Sequence, residues 1–411
     1  MAGARLGRLG LLVAIALVAM SVTASPQTRA ASREPSPPGE PSNYAGASAV
    51  TDAPAQQTTP VFGSPIASPE PVLASNGRRE LAYELMLTNR SESTVTVRKV
   101  EALAGGKVVE KLSGKSLEAV MEPFGQFTTS DKLNPGESGF VMMDVSLARK
   151  AKIPAELTHR IVISMKPKPA FASALSYELA PTKVTFRKAL VIHPPVYGPG
   201  WIINSGCCSA FNFHRGVAWP VNGAITVSER FAIDFFQVDA TGNALDGPDD
   251  QLTSYVSYGA EVHSATAGKV ISVRNDMPEA PLGPLPPGLT LEEGPGNKVV
   301  IDAGHGRYVF YAHLQHRSVT VHPGERVKVG QTLGLLGNSG NSAGAHLHFQ
   351  VMNGPLSAGS NGMPFRFSEF NLQGTVTSFD SVTGLAAIDR AEHGIRRDVL
   401  PLDQQVVEFS G

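Results

Sequence analysis

The segment Gly344-Ala-His346-Leu-His348-Phe-Gln350 has the alternation of a β-strand with one polar and one apolar face. Side chains two positions apart on a strand point to the same side, so His346 and His348 share one face. Leu347 and Phe349 then enter the core from the other face. One imidazole of such a pair can bind a metal while its neighbour acts on a substrate. The segment therefore predicts a sheet with a chemical site on one face.

The sequence around this segment is rich in further strands joined by tight glycine turns, such as Gly304-His305-Gly306. The predicted strands span residues 230–238, 269–273, 298–302, 308–314 and 345–352. Residues 277–296 contain too much proline and glycine for a central strand, and we expect a long loop beside the sheet there. This part of the chain is thus predicted to be mainly β.

Two other strand-like runs carry polar residues that could join the histidine pair. Asp234 lies in Arg230-Phe-Ala-Ile-Asp-Phe, and a carboxylate among such apolar neighbours needs a partner, for which a metal ion is suitable. His313 ends the run Tyr308-Val-Phe-Tyr-Ala-His. Each residue alone also has a structural explanation: a histidine pair at a sheet rim, a core histidine bonded to a carbonyl, or Asp234 paired with Arg230.

Taken together with the run Val327-Lys-Val-Gly-Gln-Thr-Leu-Gly-Leu-Leu-Gly-Asn-Ser-Gly-Asn-Ser, these motifs resemble the lysostaphin-type zinc metallopeptidases. Members of that family are endopeptidases that cleave peptide bridges in bacterial peptidoglycan. The resemblance covers about residues 258–352. It implies an antiparallel β-sheet peptidase domain, which we place at residues 196–375, and Zn²⁺ as its cofactor.

The resemblance implies roles for four residues. Asp234 and His348 are expected to be zinc ligands, and His313 and His346 the catalytic histidines beside the attacking water. Zinc with three protein ligands keeps a fourth position for water, lowers its pKa to about 7 and polarises the scissile carbonyl. His313 or His346 could take the proton and later help the leaving amine.

The chain departs from the family at one position, because Arg230 stands where a histidine ligand is expected four residues before Asp234. Arginine cannot bind zinc and could instead pair with Asp234, so either another residue completes the site or the domain binds no zinc. The best substitute is His214. If Asn222-Gly223 centres a two-residue hairpin, His214 faces Phe231 on the wrong side, whereas a bulge or longer turn would place it on the metal face.

Weaker candidates for the third ligand are His263, Cys207 and Cys208, each of which also has a structural explanation. The adjacent cysteines could form a vicinal disulfide, link two chains, remain free thiols or bind a metal; a local structural role ranks first. We assign no role to the three histidines in loop-like surroundings, His305, His316 and His322.

The N-terminal half contains no catalytic motif. Residues 1–24 are predicted to be a signal peptide, because basic residues precede an apolar run and a small-residue cleavage site, and no later segment approaches a membrane span. Residues 25–71, rich in Pro, Ser and Ala, are expected to be a disordered linker. Period-two alternation predicts a β-sandwich-like domain at residues 72–195, for which a spacer or docking role ranks above an inhibitory role over the second domain. Residues 376–411 form a C-terminal extension with expected edge strands.

The charge of the chain and the absence of several common motifs argue against some classes of function. The 411 residues carry a formal net charge of −1 with no Lys/Arg block, which argues against a nucleic-acid partner. His-Glu-x-x-His, Gly-x-Ser-x-Gly and phosphate-binding glycine motifs are absent from the sequence. The family resemblance, together with the predicted signal peptide, implies an exported zinc metalloendopeptidase of the periplasm, cell envelope or extracellular space that hydrolyses peptide cross-links of peptidoglycan. Two alternatives are a catalytically silent relative that binds cell-wall peptides or activates a partner hydrolase, and a general extracellular protease.

Overall fold

The structure, a computed structural model, describes residues 57–126, 128–168, 175–208, 213–283 and 287–411. Within these ranges the protein is nearly all-β, which confirms the predicted fold class. The predicted signal peptide and most of the predicted linker lie outside the described residues. In the part of the chain that is described, no helix combines the length and apolar character needed to cross a membrane.

The first ten strands of the described residues form two five-stranded antiparallel sheets, and one short helix, α1 (Lys115–Glu118), lies between β5 and β6 in sequence. Their bounds are β1 (Val61–Pro65), β2 (Val72–Leu73), β3 (Arg78–Asn89), β4 (Thr94–Ala104), β5 (Lys107–Ser113), β6 (Met121–Pro123), β7 (Lys132–Leu133), β8 (Ser138–Ala148), β9 (Glu156–Lys166) and β10 (Ser176–Lys183). One sheet has the order β1-β3-β8-β6 with β2 on β3, and the other β10-β9-β4-β5 with β7 on β4.

The two sheets share one apolar core, as the sequence alternation requires. Leu85 of β3 and Val141 of β8 enter it from one sheet, and Val97 of β4 and Ile161 of β9 from the other. Strand β1 pairs along the edge of the first sheet, so the predicted linker, which ran to residue 71, extends too far. A Pro- and Ser-containing segment is tolerated there because an edge strand leaves one side of its backbone unpaired.

The remaining strands build a twelve-stranded sheet and two hairpin-sized sheets. Their bounds are β11 (Leu190–Ile192), β12 (Gly198–Asn204), β13 (Ala218–Val221), β14 (Ala224–Val227), β15 (Ile233–Gln237), β16 (Glu261–His263), β17 (Gly268–Arg274), β18 (Asn297–Gly304), β19 (Arg307–Leu314), β20 (Arg326–Val327), β21 (Thr332–Leu335), β22 (Leu347–Met352), β23 (Phe365–Asp380), β24 (Leu385–Asp389), β25 (Gly394–Val399) and β26 (Gln405–Phe409). The large sheet has the order β11-β23-β26-β12-β15-β22-β19-β18-β17-β20, with β24 and β25 on β23.

The centre of this sheet carries the predicted chemistry, because β22 lies between β15 and β19. Asp234 of β15 and Ala312 of β19 are both paired with His348, so these three residues share one face. Phe349 of β22 packs on the opposite face against Phe235 and Tyr311. The register thus separates a polar face from an aromatic core.

Three predicted boundaries in this half need correction. The strand expected from residue 230 begins at Ile233, after a turn in which the Ala232 amide donates to the Glu229 carbonyl at 2.9 Å. Strand β11 joins the large sheet before the boundary predicted after residue 195, and β23 runs across the boundary predicted after residue 375. Strand β26 is no edge strand, since it pairs with both β23 and β12. Backbone pairing partners so distant in sequence leave no local pattern.

Candidate metal centre

Three predicted metal ligands converge on the polar face of the large sheet. His348 Nδ1 lies 3.0 Å from Asp234 Oδ1, and His214 Nε2 lies 3.2 Å from Asp234 Oδ2. One ligand atom from each of the three residues lies within 4.8 Å of the other two. Nitrogen and oxygen ligands around tetrahedral zinc are about 3.4 Å apart, given metal–ligand distances of about 2.1 Å. The donor set and its spacing therefore fit zinc.

His214 reaches this site by a route that the sequence pattern did not indicate. Asn222 and Gly223, both with positive φ, do form the two-residue turn between β13 and β14. The hairpin arms have only four residues each, however, and His214 lies before them in the 3₁₀ helix Phe213–Gly216. Neither the strict hairpin register nor a bulge describes its position, and both expectations are wrong.

His313 and His346, the two predicted catalytic histidines, lie beside the three ligands. Their ring centroids are 4.7 Å apart, and the His313 ring is 6.0 Å from that of His348. His346 Nε2 is 3.6 Å from Asp234 Oδ1. All five predicted site residues are thus brought together in one cluster.

An unusual backbone conformation turns His313 towards this cluster. Tyr311 faces the aromatic core, and regular alternation would place His313 on the same side. His313 instead has φ +59°, in the left-handed region that non-glycine residues rarely adopt. The next residue, Leu314, is buried in the core. A local break in the strand therefore reverses the alternation and exposes the His313 ring to the site.

Each histidine uses one ring nitrogen to fix its orientation. Nδ1 donates to a backbone oxygen in three of them: from His214 to Ser205 at 2.9 Å, from His313 to Ser339 at 2.8 Å and from His346 to Gly344 at 2.8 Å. In His348 it is Nε2 that donates, to Gln350 Oε1 at 2.8 Å. In His214, His346 and His348 the other ring nitrogen lies beside the Asp234 carboxylate, at 3.2, 3.6 and 3.0 Å.

The glycine-punctuated run orients the two catalytic candidates. It contributes the Ser339 oxygen that accepts from His313, and Ser342 Oγ lies 3.2 Å from His346 Nδ1. Gly340 has φ +79°, and a Cβ at this position would come within 2.3 Å of the Gly296 nitrogen. Glycine is required there because the two backbones approach so closely.

The pKa values of the clustered residues are shifted in different directions. Burial alone would lower the pKa of His214, but the Asp234 carboxylate raises it to about 9. Burial opposes ionisation of Asp234 as well, yet His214 and His346 hold its pKa well below the usual range. Burial and the neighbouring imidazoles of His346 and His348 instead lower the pKa of His313. His313 is thus neutral near pH 7 in the metal-free protein, with one ring nitrogen unprotonated.

Arg230 does not pair with Asp234 and does not enter the cluster. Its guanidinium donates to Glu84 through both Nε, at 2.8 Å, and Nη2. The alternative in which Arg230 holds Asp234 in an ion pair is therefore wrong. Arg230 lies in the turn before β15, outside the strand alternation that would have placed it on the face of Asp234.

The weaker ligand candidates are engaged elsewhere. His263 stacks on Tyr197, with ring centroids 4.4 Å apart, and Cys207 and Cys208 are joined in a vicinal disulfide. The His316 amide donates to Glu279, while His305 and His322 are exposed. Sequence reasoning missed Gln350, although its position two residues after His348 on the same strand indicated that it faces the site.

A buried histidine–aspartate centre on a β-sheet, flanked by neutral histidines, is the type of site that metallopeptidases use. Residues 252–363 match the model of peptidase family M23, so the chain contains an M23 peptidase domain, as the resemblance predicted. The matched range includes His313, His346 and His348, whereas His214 and Asp234 precede it.

Parts of the chain are similar to known proteins. A 57-residue stretch is 47% identical to the peptidoglycan DD-endopeptidase ShyC of Vibrio cholerae, covering 14% of this chain and 13% of that protein. The catalytic domain of lysostaphin from Staphylococcus simulans is similar at 21% identity, with 41% of this chain and 84% of that one covered and a TM-score of 0.22. A peptidase M23 from Pseudomonas aeruginosa shows 16% identity, 65% and 90% coverage and a TM-score of 0.24.

Proposed function

We propose that this protein is a zinc metalloendopeptidase that hydrolyses peptide cross-links of bacterial cell-wall peptidoglycan after export. The observation that carries the proposal is the convergence of His214, Asp234 and His348, with His313 and His346 beside them. The M23 domain and the DD-endopeptidase relative support the reaction type and the substrate class. The predicted signal peptide at residues 1–24 supports export.

The residues divide the work in a way that follows from their contacts. His214, Asp234 and His348 would hold zinc, which supplies a Lewis acid and an acidified water when bound. His313, whose Nδ1 is bonded to Ser339, keeps Nε2 free to accept a proton from the nucleophile. His346, held through Gly344, can return a proton to the leaving amine.

A small cavity on the same sheet face offers room for part of a peptide. It measures about 160 Å³ and is lined by Ile271, Lys298 and Phe310, among other residues. The Phe310 ring is 6.1 Å from the His348 ring, which places this cavity next to the proposed ligands. The lining combines apolar side chains with a paired cation and anion, Lys298 and Glu292, whose Nζ and Oε2 are 3.0 Å apart.

The alternative of a silent, peptide-binding relative depended on Arg230 blocking the site. Because Arg230 is paired with Glu84, that argument no longer applies. Each of the three described residues at the proposed ligand positions, His214, Asp234 and His348, has a side chain that can bind zinc. The endopeptidase is therefore favoured over the binding protein.

Metal content and hydrolysis of the full chain without its signal peptide test the proposal. We expect one zinc per chain in wild type, with clear loss of zinc in His348→Ala and His214→Ala. Purified peptidoglycan should be cleaved by wild type but not by these variants, and casein should distinguish a general protease. His305→Ala, at an exposed turn histidine, serves as the matched control. Wild-type protein that binds no zinc, or variants that cleave as well as wild type, would overturn the proposal.

A further inference from the structure

A buried ion-pair network joins the N-terminal sheets to the segment that carries the proposed metal ligands. Glu84 of β3 is fully buried and accepts from Arg215 Nε at 3.1 Å and from Arg230 Nε at 2.8 Å. Arg215 Nη1 donates to Asp144 of β8 at 2.5 Å. Two guanidinium groups from one part of the chain thus face two carboxylates from the other.

Strand alternation explains why carboxylates occupy this position. Tyr83 and Leu85 point into the core shared by the N-terminal sheets, so Glu84 lies on the outer face of its sheet. The neighbouring Ala82, on that same face, is buried in the core of the large-sheet half. The outer face of the first sheet is therefore covered by the peptidase half, and Glu84 is desolvated by that contact.

Both guanidinium groups of the network also donate hydrogen bonds to backbone oxygens. The Nη2 group of Arg215 reaches the backbone oxygens of Tyr83 and Met143, each at 3.3 Å, and Arg230 Nη1 donates to the Gly362 oxygen at 3.2 Å. Its two positive and two negative charges balance. Buried charges tolerate little movement, because displacing one leaves its partner unpaired in an apolar environment. This network therefore fixes the position of Arg215 much more rigidly than an exposed ion pair would.

Arg215 is adjacent in sequence to the proposed ligand His214. Both lie in the four-residue 3₁₀ helix Phe213–Gly216, which has no ladder of strand hydrogen bonds to hold it. Asp234 and His348, by contrast, are paired with each other on neighbouring strands. The helix also rests on the N-terminal sheet at Gly216, where a Cβ would come within 3.4 Å of Glu122 Oε2. The Ser205 oxygen orients the imidazole of His214, but the backbone of so short a turn needs an anchor of its own outside the turn.

We propose that Arg215 is a positioning residue for the metal ligand His214, and that Glu84 and Asp144 make the N-terminal domain a structural part of the metal centre. This inference rests on the proposed zinc site. It assigns the N-terminal domain a role other than a spacer or a docking module. The guanidinium of Arg215 points into one domain while the imidazole of its neighbour points at the metal position of the other.

The main test is a double-mutant cycle on the full chain. Arg215→Met removes the anchor yet leaves Glu84 paired with Arg230 and Asp144 partly exposed to water, so no buried charge is left alone. Zinc affinity is measured by competitive titration with a chelating dye. We expect Arg215→Met to weaken zinc binding roughly 10–100-fold, the range found for residues that orient metal ligands. His214→Ala protein should lose zinc at the stoichiometric concentrations of the metal-content assay, but its residual affinity can be titrated at raised zinc concentrations, and Arg215→Met should not lower that residual affinity further.

Three further proteins make the cycle conclusive. Arg215→Lys keeps the charge without the planar fork and should recover part of the affinity. Asp144→Asn, in the N-terminal sheet, removes one partner of Arg215 at a partly exposed position and should also weaken zinc binding. It provides the test if the Arg215→Met protein does not fold. Ser75→Ala is the control, because Ser75 Oγ donates to Gln405 Oε1 at 2.7 Å in another contact between the two halves. It should leave zinc affinity unchanged.

The outcomes separate this inference from the proposed function. Wild type without zinc would overturn both. Wild type with one zinc, and Arg215→Met or Asp144→Asn with unchanged zinc affinity, would overturn only the positioning role. Equal weakening by Arg215→Met with and without His214 would also overturn it, because the effect would not pass through that ligand.

Discussion

Gln350 provides the sharpest single test of the proposed centre. Its Oε1 accepts from His348 Nε2 at 2.8 Å, and both side chains are buried. Gln350 Nε2 has no hydrogen-bond partner among the described residues, so the protein retains an unpaired buried donor at this position. An unsatisfied donor costs free energy, which suggests that the residue is kept for its acceptor oxygen. Gln350→Leu removes that oxygen with little change in volume.

The structure sets the expected magnitude. Without Gln350 Oε1, the buried Nε2–H of His348 loses its only acceptor among the described residues, at a cost of about 1–3 kcal/mol. The imidazole can avoid this cost by moving its proton to Nδ1, where Asp234 Oδ1 is 3.0 Å away. That tautomer presents a proton where the metal would bind. Zinc affinity should therefore fall roughly 10–100-fold, as for other partners of metal-binding histidines.

Zinc titration at pH 7 and urea unfolding of the metal-free proteins measure the two consequences separately. Gln350→Glu retains an acceptor oxygen at the same place and should bind zinc at least as tightly as wild type, because a carboxylate raises the basicity of the histidine. The reasoning is refuted if Gln350→Leu binds zinc within a factor of two of wild type. It is also refuted if Gln350→Glu loses as much affinity as Gln350→Leu.

The structure leads to three further expectations. Arg230→His should not restore zinc binding to His214→Ala protein, by elemental analysis, because position 230 faces Glu84; recovered zinc would show that the turn can swing to Asp234. His313→Ala should reduce peptidoglycan hydrolysis roughly 100-fold or more while zinc content stays unchanged, and a parallel loss of zinc would make His313 a ligand. Burial raises the pKa of Glu122 to about 7 from 4.5, so folding stability should fall as pH rises between these values. Glu122→Gln should thus be more stable than wild type in urea by about 1–2 kcal/mol at pH 8, after allowance for partial exposure, and equal at pH 4; a constant difference would exclude this titration.

The strand patterns of the sequence predicted the sheet that carries the centre, because alternation is a local property. The His346-Leu-His348 register needs only the two-residue repeat of a strand, and the structure has Leu347 and Phe349 in the core. Strand ends were predicted less well. Arg230 lies in a turn that the apolar pattern could not distinguish from the first residues of a strand.

Two site residues show where local rules stop being informative. Alternation would bury His313 with Tyr311, and only its left-handed backbone brings the ring to the site. His214 was chosen for its side chain, yet its assumed place on a hairpin was wrong, because the hairpin starts four residues after it. In both cases tertiary contacts select a conformation that residue patterns do not favour.

The partner of Arg230 was beyond sequence reasoning, since Glu84 is 146 residues away. On a strand read in isolation, Glu84 looks like an ordinary polar residue on the solvent face of a sheet. It becomes buried only because the large-sheet half covers that face, as Ala82 in the core of that half shows. A domain boundary drawn from composition therefore divided residues that the fold joins.

The substitution at position 230 and the use of His214 are best understood as one arrangement. An arginine four residues before Asp234 cannot bind zinc, but its guanidinium holds Glu84, which in turn holds Arg215 next to His214. If His214 is a zinc ligand as proposed, the position that would carry a ligand in the family pattern helps to secure the residue that replaces it. A histidine at 230 would leave Glu84 with one guanidinium partner fewer and would not face Asp234. On the proposed function, the metal centre would depend on the same buried charges as the contact between the two halves, so either one can be tested through the other.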